Sequence, residues 1–330
     1  MLLENSCFLG VDVGSVSTNL VLLDSGRQVR ESVYLRTQGR PIQAIQEGLK
    51  ILRRKIGGLP LIAGVGTTGS ARQLAAVMLG ADIVKNEITA HAVAASRLNP
   101  QVSTILEIGG QDSKMILLRD GIVVDFAMNT VCAAGTGSFL DQQAGRLGIP
   151  IEEFGAIALA SKHAIRIAGR CTVFAESDMI HKQQLGHPLP DIIMGLCQAM
   201  ARNYLNNVAK NKELRGPVFF QGGVAANPGI RRAFEEELKQ EIIVPEHYAV
   251  MGALGAACLA QEQVAQTGIK KSRFKGMELA DSCFQARSFD CSGCANGCEV
   301  VEIQQGENIL ARWGDRCGRW TSMEVSLPAI

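Results

Sequence analysis

The 330-residue sequence predicts a mixed α/β fold with two similarly built halves and a small cysteine-rich extension. The halves are predicted because the same series of elements occurs twice, beginning near Phe8 and again near Thr104. Each series consists of an apolar strand pattern, a glycine-containing turn and two further strand patterns. The extension is predicted because five of the 10 cysteines lie after Ser282. We expect residues 1–262 to form the two halves and residues 263–330 to form a linker and the extension.

Composition and charge exclude several classes of protein. The chain has 33 Lys and Arg against 32 Asp and Glu, a formal net charge of +1, so nothing indicates binding to nucleic acid or to an acidic membrane surface. A hydrophobic content of 47% is too high for a disordered chain. The N-terminus lacks a basic region and its first apolar run is interrupted by Asp12, so no signal peptide is predicted. We therefore expect a cytoplasmic protein whose cysteines are reduced thiols or metal ligands.

Strand and helix patterns follow one another in each half. The first half predicts strands at Phe8–Val13, Asn19–Leu23 and Gln28–Leu35 and helices at Ile42–Ile56 and Ala71–Leu79. The second half predicts strands at Ile105–Ile108, Lys114–Leu118, Ile122–Phe126 and Val218–Phe220, with helices dominating from Gly137 to Asn211 and a helix at Pro228–Lys239. A closely packed helix from Tyr248 to Ala260 and a polar linker from about Gln261 to Lys275 complete the predicted elements.

Three glycine-containing turns follow predicted strands, and glycine lets backbone N–H groups approach a phosphate closely. The turn Gly10–Ser15 carries Asp12, a carboxylate that can hold Mg²⁺ through water, although Asp-x-Gly also occurs in ordinary hairpin turns. The turn Gly109–Asp112 carries Gln111, an amide that can orient an attacking water molecule. The turn Gly222–Asn227 opens a helix and leaves room for an adenosine. The sequence therefore predicts a site for ATP.

Cys132 and Cys171 each stand just before a predicted helix. The N-terminus of a helix offers unpaired N–H groups and partial positive charge, a setting that favours a thiolate and an anionic metal cluster. Two thiolates are half of the four that an iron–sulfur cube needs, and a symmetric dimer would supply all four. The alternative is a pair of buried thiols in helix caps.

The glycine turns and the duplicated strand patterns resemble the nucleotide-binding fold that actin, Hsp70 chaperones and sugar kinases share, the ASKHA fold. This is a duplicated α/β fold whose halves are ribonuclease H-like. None of the turns has the spacing of a Walker A or Rossmann motif.

The cysteine motifs narrow the resemblance to one family. Met128-Asn129 with Cys132–Gly137, followed by Cys171–Ser177, closely resembles the activator ATPases of 2-hydroxyacyl-CoA dehydratases. These belong to the BadF/BadG/BcrA/BcrD ATPase family, which also contains the ATPase subunits of benzoyl-CoA reductase. The resemblance runs from about Phe8 to Ala260, and the glycine motifs fall in the family's order.

This resemblance implies a specific activity. The chain would form a homodimer with one 4Fe–4S cluster at the interface, held by Cys132 and Cys171 of each subunit. ATP binding and hydrolysis would change the angle between the subunits and drive one electron, supplied by ferredoxin or flavodoxin, into a partner. The partner would be an iron–sulfur enzyme of the 2-hydroxyacyl-CoA dehydratase or benzoyl-CoA reductase type, and such chemistry is expected under anaerobic conditions.

The same resemblance assigns the site residues. Asp12 would serve Mg²⁺ and the phosphates, and Gln111 the hydrolytic water, so these two are the expected catalytic residues. The residues expected to bind the nucleotide are Gly14, Ser15, Gly110, Asp112, Gly135, Thr136, Gly222 and Gly223. The alternative function is a non-redox ATPase or phosphotransferase of the same fold with a structural zinc site. A phosphotransferase would need a carboxylate base at a substrate cleft, and the sequence shows no convincing candidate.

The extension departs from the short activators, which end near the equivalent of Ala260. It carries Cys291-x2-Cys294-x3-Cys298 and, after a Gly-Asp-Arg turn, Cys317. A similar run occurs in long, multidomain activase-like proteins.

Four thiolates can close a tetrahedral zinc site or hold a second iron–sulfur cluster, and the electron chemistry implied for the chain favours the cluster. Free or disulfide-bonded cysteines are the alternative. Cys283 would be a spare or alternative ligand. Polar and apolar residues alternate from Glu299 to Arg312, which predicts a small hairpin between the ligand pairs.

Overall fold

The computed structural model describes residues 6–57, 60–129, 132–169, 171–268 and 271–323. The chain forms two compact units, one of residues 1–90 with 252–330 and one of residues 91–251. Each unit contains one five-stranded sheet, and the first unit also contains a four-stranded sheet. The expected boundary between residues 262 and 263 stays a prediction.

The sheet of the first unit has the order β3-β2-β1-β4-β5, in which β1 runs antiparallel to β2 and parallel to β4. All eight residues of β1 are buried, as expected of a central strand covered on both faces. The elements of this part are β1 (Ser6–Val13), β2 (Ser17–Asp24), β3 (Val29–Arg36), α1 (Pro41–Ile56), β4 (Leu61–Thr68), α2 (Arg72–Leu79) and β5 (Ile83–Val84), with α3 (Glu87–Leu98) beginning in this unit.

The sheet of the second unit repeats this plan. Its order is β8-β7-β6-β9-β10, again with the first strand antiparallel to the second and parallel to the fourth. This repetition confirms the predicted duplication. The elements are β6 (Thr104–Ile108), β7 (Ser113–Arg119), β8 (Ile122–Asn129), α4 (Gly137–Leu147), α5 (Ile151–Leu159), α6 (Thr172–Gln184), α7 (Leu189–Val208), β9 (Val218–Gln221), α8 (Pro228–Leu238) and β10 (Ile242–Ile243).

The core of the second unit is built on α7, its longest helix. Tyr204 on this helix is fully buried, and its hydroxyl donates to the carbonyl oxygen of Lys114 on β7 at 2.7 Å. The ring of Phe234 on α8 packs edge-on against Tyr204, with 5.3 Å between centroids. This packing places α7 and α8 against the strands that carry the glycine turns. No helix in the described part of the chain is long and apolar enough to span a membrane.

The last helix of the first unit, α9 (Met251–Thr267), confirms the predicted packed helix but ends later than expected. The segment from Gln261 was expected to be a linker. It begins instead as the last two turns of α9, because Ala, Gln and Glu favour a helix there and Val264 is buried. Beyond the helix, the Arg273 amide donates to Asp82 Oδ1 at 3.0 Å, which fixes this part of the chain to the first unit.

The extension forms the four-stranded antiparallel sheet, in the order β11-β12-β13-β14. Its second and third strands are the hairpin that alternation predicted. The strands are β11 (Phe284–Asp290), β12 (Glu299–Gln305), β13 (Asn308–Trp313) and β14 (Ser322–Met323).

The extension shares the apolar core of the first unit. Ile303 and Ala311 are buried in the same cluster as Ile45 of α1. Gln46 Nε2, also on α1, donates to the Ser282 carbonyl oxygen at 2.6 Å. Because this core surrounds its inner face, the extension does not depend on its own few apolar residues alone.

Candidate functional site

Asp12 and Glu107 occupy equivalent places in the two sheets. Each lies two residues before the first glycine of a hairpin turn, Gly14 in the first unit and Gly109 in the second. Both carboxylates are buried. Asp12 is among the residues that the sequence predicts for the site, whereas Glu107 is not. Aligning the two glycine turns would have found it, since the spacing from carboxylate to glycine is the same.

The first unit surrounds Asp12 with small polar groups. Thr68 lies opposite Asp12 in the parallel register of β1 and β4, and its buried hydroxyl has no hydrogen-bond partner among the described residues. The turn at Gly69 passes so close that a Cβ there would lie 2.6 Å from Asp12 Oδ1. Beside it, the turn containing Gly14 and the exposed Ser15 closes β1 onto β2. A carboxylate, an unpaired hydroxyl and an exposed turn fit a hydrated Mg²⁺ and phosphate oxygens.

In the second unit, the β6–β7 turn is joined to the start of α4. The Gly137 amide donates to the Gly109 carbonyl oxygen at 2.9 Å, and the Ser138 amide donates to the Gly110 carbonyl oxygen at 2.8 Å. These bonds bring Gly110 next to the segment that contains Gly135 and the buried Thr136. The helix N-terminus therefore lies beside the turn, as in anion-binding sites.

Gln111 is exposed at the tip of the same turn. Asp112, its neighbour, accepts a hydrogen bond from Lys114 Nζ at 3.0 Å. The carboxylate of Asp112 is therefore committed to an ion pair, whereas the Gln111 amide faces solvent.

The third turn packs against the end of β6. Gly222 has φ +90, and a Cβ there would lie 2.4 Å from the Ile108 carbonyl oxygen and 2.8 Å from Glu107 Oε1. Only glycine fits this approach. Gly223 then starts a short 3₁₀ turn that leads into α8. Of the expected nucleotide-binding residues, the second unit therefore brings together Gly110, Asp112, Gly135, Thr136, Gly222 and Gly223, while Gly14 and Ser15 lie with Asp12 in the first unit.

A buried charge cluster supports the β6–β7 turn. Lys114 Nζ lies 3.1 Å from Glu107 Oε2 and 3.0 Å from Asp112 Oδ1, and the lysine side chain is 2% exposed. Burial raises the pKa of the Glu107 carboxyl, and the lysine charge opposes that rise. The lysine thus helps to keep a carboxylate charged in an apolar setting.

Cys132 is held by a reciprocal pair of hydrogen bonds with Asn129. The Cys132 amide donates to Asn129 Oδ1 at 3.0 Å, and Asn129 Nδ2 donates to the Cys132 carbonyl oxygen at 2.8 Å. The cysteine is half-buried and immediately precedes the 3₁₀ turn of residues 133–135 that leads into α4. The thiol is therefore fixed in position at the approach to a helix.

Cys171 is the residue immediately before α6 and is also half-buried. The segment preceding it is fixed by α7, because Asn203 Nδ2 donates to the Gly169 carbonyl oxygen at 2.6 Å. Asn203 also reaches the Cys132 segment: its Oδ1 lies 3.1 Å from where a Cβ of Gly135 would stand. One asparagine therefore contacts both cysteine-bearing segments.

Four of the five extension cysteines lie in two loops, and Cys283 lies just before β11. Cys291 is buried and Cys298 half-buried, whereas Cys283, Cys294 and Cys317 are exposed. Across the residues that the structure describes, no three His, Cys, Asp or Glu side chains already converge on one point as a metal site would require.

Comparison with known proteins places the chain among ATPases. The model of the BadF/BadG/BcrA/BcrD ATPase family matches residues 9–260. The 2-hydroxyisocaproyl-CoA dehydratase activator of Clostridioides difficile is 34% identical over 261 residues, which cover 78% of this chain and 96% of that protein. The (R)-2-hydroxyglutaryl-CoA dehydratase activating ATPase of Acidaminococcus fermentans is 34% identical over 262 residues, 78% of this chain and 98% of that protein.

A solved structure agrees with this result. The activator of the 2-hydroxyisocaproyl-CoA dehydratase from Clostridium difficile, with bound ADPNP, has a TM-score of 0.74 to this chain at 33% identity. The match covers 80% of this chain and 98% of that one. Together with the repeated sheet order, this similarity confirms the predicted fold. The extension lies beyond the residues that the family model matches.

Proposed function

Because this chain belongs to the BadF/BadG/BcrA/BcrD ATPase family, we propose that it is an ATP-driven, low-potential electron donor. Two copies would share one 4Fe–4S cluster and deliver one electron to an iron–sulfur enzyme of the 2-hydroxyacyl-CoA dehydratase or benzoyl-CoA reductase type. The observation that carries the proposal is the placement of Cys132 and Cys171, each just before a helical segment and both supported through Asn203.

The two cysteines fit an anionic cluster. Both thiols are free and half-buried, so a metal can reach them while the surrounding protein restricts their positions. α6 begins directly after Cys171, and its first N–H groups would stabilise negative charge on a bound sulfur. One chain supplies two thiolates, and a second copy related by a two-fold axis would complete the set of four.

Exposed apolar side chains next to these cysteines support a homodimer. Val173 and Phe174, in the first turn of α6, are each 65% exposed. A single chain gains nothing by leaving two large apolar side chains in water beside a redox centre, whereas a second copy would cover them.

The edge strand β8 adds a second apolar surface that leads to Cys132. Phe126 and Met128 are exposed and lie on one face of the strand, because they pair with Ile116 and Lys114 of β7. A bulge in β8 opposite Leu117 and Leu118 ends this face before the exposed residues Ile122 and Val124.

The roles in ATP hydrolysis follow from the two glycine turns. Asp12 would hold the water shell of Mg²⁺, which neutralises the phosphate charges. The Gln111 amide would orient the water that attacks the γ-phosphorus, giving ADP and inorganic phosphate. The backbone at Gly110, Gly135 and Gly222 would let the nucleotide approach without steric conflict.

When bound, the cluster would supply one-electron chemistry: ferredoxin or flavodoxin would reduce it, and the partner enzyme would oxidise it. The contribution of each chain is to position two of the four thiols and to couple their surroundings to the state of the nucleotide. A non-redox ATPase or phosphotransferase of the same fold is the competing function, and it requires neither cysteine.

Electron delivery coupled to ATP distinguishes the two functions. Protein reconstituted anaerobically with iron and sulfide, then reduced, is mixed with an iron–sulfur 2-hydroxyacyl-CoA dehydratase, and the dehydratase cluster is followed by electron paramagnetic resonance. We expect reduction with MgATP and none with a non-hydrolysable analogue. Cys171→Ala should hydrolyse ATP without delivering an electron. Hydrolysis by a wild-type protein that takes up no iron would instead establish the non-redox function.

A further inference from the structure

The extension places its two cysteine-bearing loops at the same end of its sheet. The β11–β12 loop spans residues 291–298, and Asp290 pairs with Glu299 across its base. The β13–β14 loop spans residues 314–321, and Trp313, just before it, pairs with Val301 near the start of β12. Because both loops leave the sheet beside the first residues of β12, they are neighbours in space.

Within the first loop, Cys291 and Cys298 face each other across the hairpin. The Cys291 amide donates to the Cys298 carbonyl oxygen at 2.8 Å, which continues the register of β11 and β12 by one pair. Residues directly opposite in an antiparallel pair point to the same face, with Cβ atoms about 4.5–5.5 Å apart. The two thiols therefore share one face of the sheet at close range.

The second loop is in contact with this pair. Gly314 has φ +112, and a Cβ there would lie 2.4 Å from the Glu299 carbonyl oxygen, so only glycine permits the loops to approach. Trp320 reaches back from the second loop, and its Nε1 donates to Cys291 Sγ at 3.2 Å. The Trp320 ring is fixed by edge-on packing against Phe289, with 5.1 Å between centroids.

The surroundings of Cys291 suit a sulfur that carries negative charge. Its Sγ accepts a second hydrogen bond, from the Gly293 amide at 3.4 Å. The guanidinium group of Arg319 lies 5.9 Å from the centre of the Trp320 ring and brings positive charge to the same place, whereas Arg312, also beside that ring, is paired with Glu302. N–H donors and cations around sulfur are what a metal-bound thiolate group requires.

We infer that Cys291, Cys294, Cys298 and Cys317 bind one zinc ion that fastens the two loops together. Cys294 lies on a turn that includes Gly297, with φ +50, and Cys317 precedes Gly318, with φ +73. Both side chains are exposed and would turn inward toward the Cys291–Cys298 pair. Binding by four thiols releases up to four protons and leaves a closed tetrahedral site with no position for a substrate.

The spacing of the cross-strand pair favours a single ion over an iron–sulfur cube. Zinc–sulfur bonds of about 2.3 Å in a tetrahedron place the sulfur atoms about 3.8 Å apart. Two thiols on directly opposite residues reach that separation without moving the backbone. The four ligands of a cube bind four separate iron atoms and stand farther apart, which would open the hairpin at Cys291 and Cys298.

Metal analysis of the full-length chain tests the inference. The protein carries Cys132→Ala and Cys171→Ala, so that any metal belongs to the extension, and it is purified anaerobically with zinc and iron both supplied. We expect one zinc per chain, released when an organomercurial blocks the thiols and detected with a colorimetric chelator. Cobalt substitution should give the visible absorption of a tetrahedral tetrathiolate site.

Single substitutions assign the ligands in the same background. Cys294→Ser and Cys317→Ser should each lower zinc affinity at least tenfold, whereas the matched variant Cys283→Ser should retain stoichiometric zinc. Iron with acid-labile sulfide in the extension, a Cys291–Cys298 disulfide under the same conditions, or full zinc affinity in both serine variants would each overturn the inference. Because the cluster cysteines are already absent, none of these results depends on the proposed electron transfer.

Discussion

Lys114 Nζ and Glu107 Oε2 lie 3.1 Å apart on directly opposite residues of β6 and β7, and both side chains are almost completely buried. Removing two charges from water is costly, and each charge is tolerated because the other is present. The pair lies under the glycine turn that carries Gln111. Its structural role is to hold a charged carboxylate in the second unit at the position that Asp12 has in the first.

Breaking this pair should destabilise the protein strongly. Lys114→Met leaves Glu107 buried without its counter-charge, so we expect a loss of about 3–5 kcal/mol in the free energy of unfolding. Chemical denaturation measures it. Lys212→Met, which breaks the surface ion pair with Asp125, is the matched control and should change stability far less, because solvent screens exposed charges. Equal losses in the two variants would show that the buried pair has no special role.

Gln111→Ala should slow ATP hydrolysis roughly 10²-fold and leave nucleotide affinity nearly unchanged, because orienting the water matters mainly in the transition state. Single-turnover hydrolysis and calorimetric binding of ADP measure the two effects separately. Gln101→Ala, at another exposed glutamine, should behave as wild type. Normal hydrolysis by Gln111→Ala would remove Gln111 from the proposed mechanism.

Asn203→Ala should loosen both cysteine segments, since the side chain bonds the Gly169 carbonyl oxygen and lies against Gly135. We expect reconstituted protein to lose iron several-fold faster in air while its ATP affinity changes little. Asn206→Ala, at an exposed position on the same helix, provides the comparison. Equal rates of iron loss would mean that Asn203 does not support the cluster site.

Asp191 should contribute to stability in a pH-dependent way. The Ser161 hydroxyl and the amides of His163 and Lys162 donate to its carboxylate and lower its pKa. The unfolded chain therefore takes up this proton at a higher pH than the folded one, so stability falls as the pH drops from neutral through and below the usual aspartate value of 3.8.

Asp191→Asn should remove that contribution: the variant should be less stable than wild type at pH 7, and the difference should shrink toward pH 3. Denaturation across this range measures it, with Glu241→Gln, at an exposed acid, as the comparison. A difference that stays constant with pH would contradict the assigned cause.

Local patterns were sufficient for much of the fold. Alternation and glycine turns predicted the two meanders, and the packed helix near Met251 was evident from its small and apolar residues. β4 was missed because Gly64 and Gly66 interrupt its strand pattern, although both lie in a buried sheet. Its identity as a strand depends on pairing with β1, a non-local contact that composition does not reveal.

The sequence was sufficient to propose site residues where one residue type carries the chemistry, as with Asp12 and the cysteines, and their roles stay predictions. The spacing from Glu107 to Gly109 could have identified this carboxylate as the counterpart of Asp12, but its ion pair with Lys114 depends on a register that only the paired strands define. The packing of the extension against α1 could not be predicted from sequence either, since it depends on contacts such as that between Gln46 and Ser282, which are far apart in the chain.

Iron content per chain tests the central claim most directly. Anaerobically reconstituted wild-type protein should hold about two iron and two acid-labile sulfide per chain, one four-iron cluster per dimer. Cys132→Ala and Cys171→Ala should each lose nearly all of this iron, while Cys258→Ala, at a buried cysteine elsewhere, should retain it. Four iron atoms held by a monomer, or full iron content in either of the first two variants, would contradict the account.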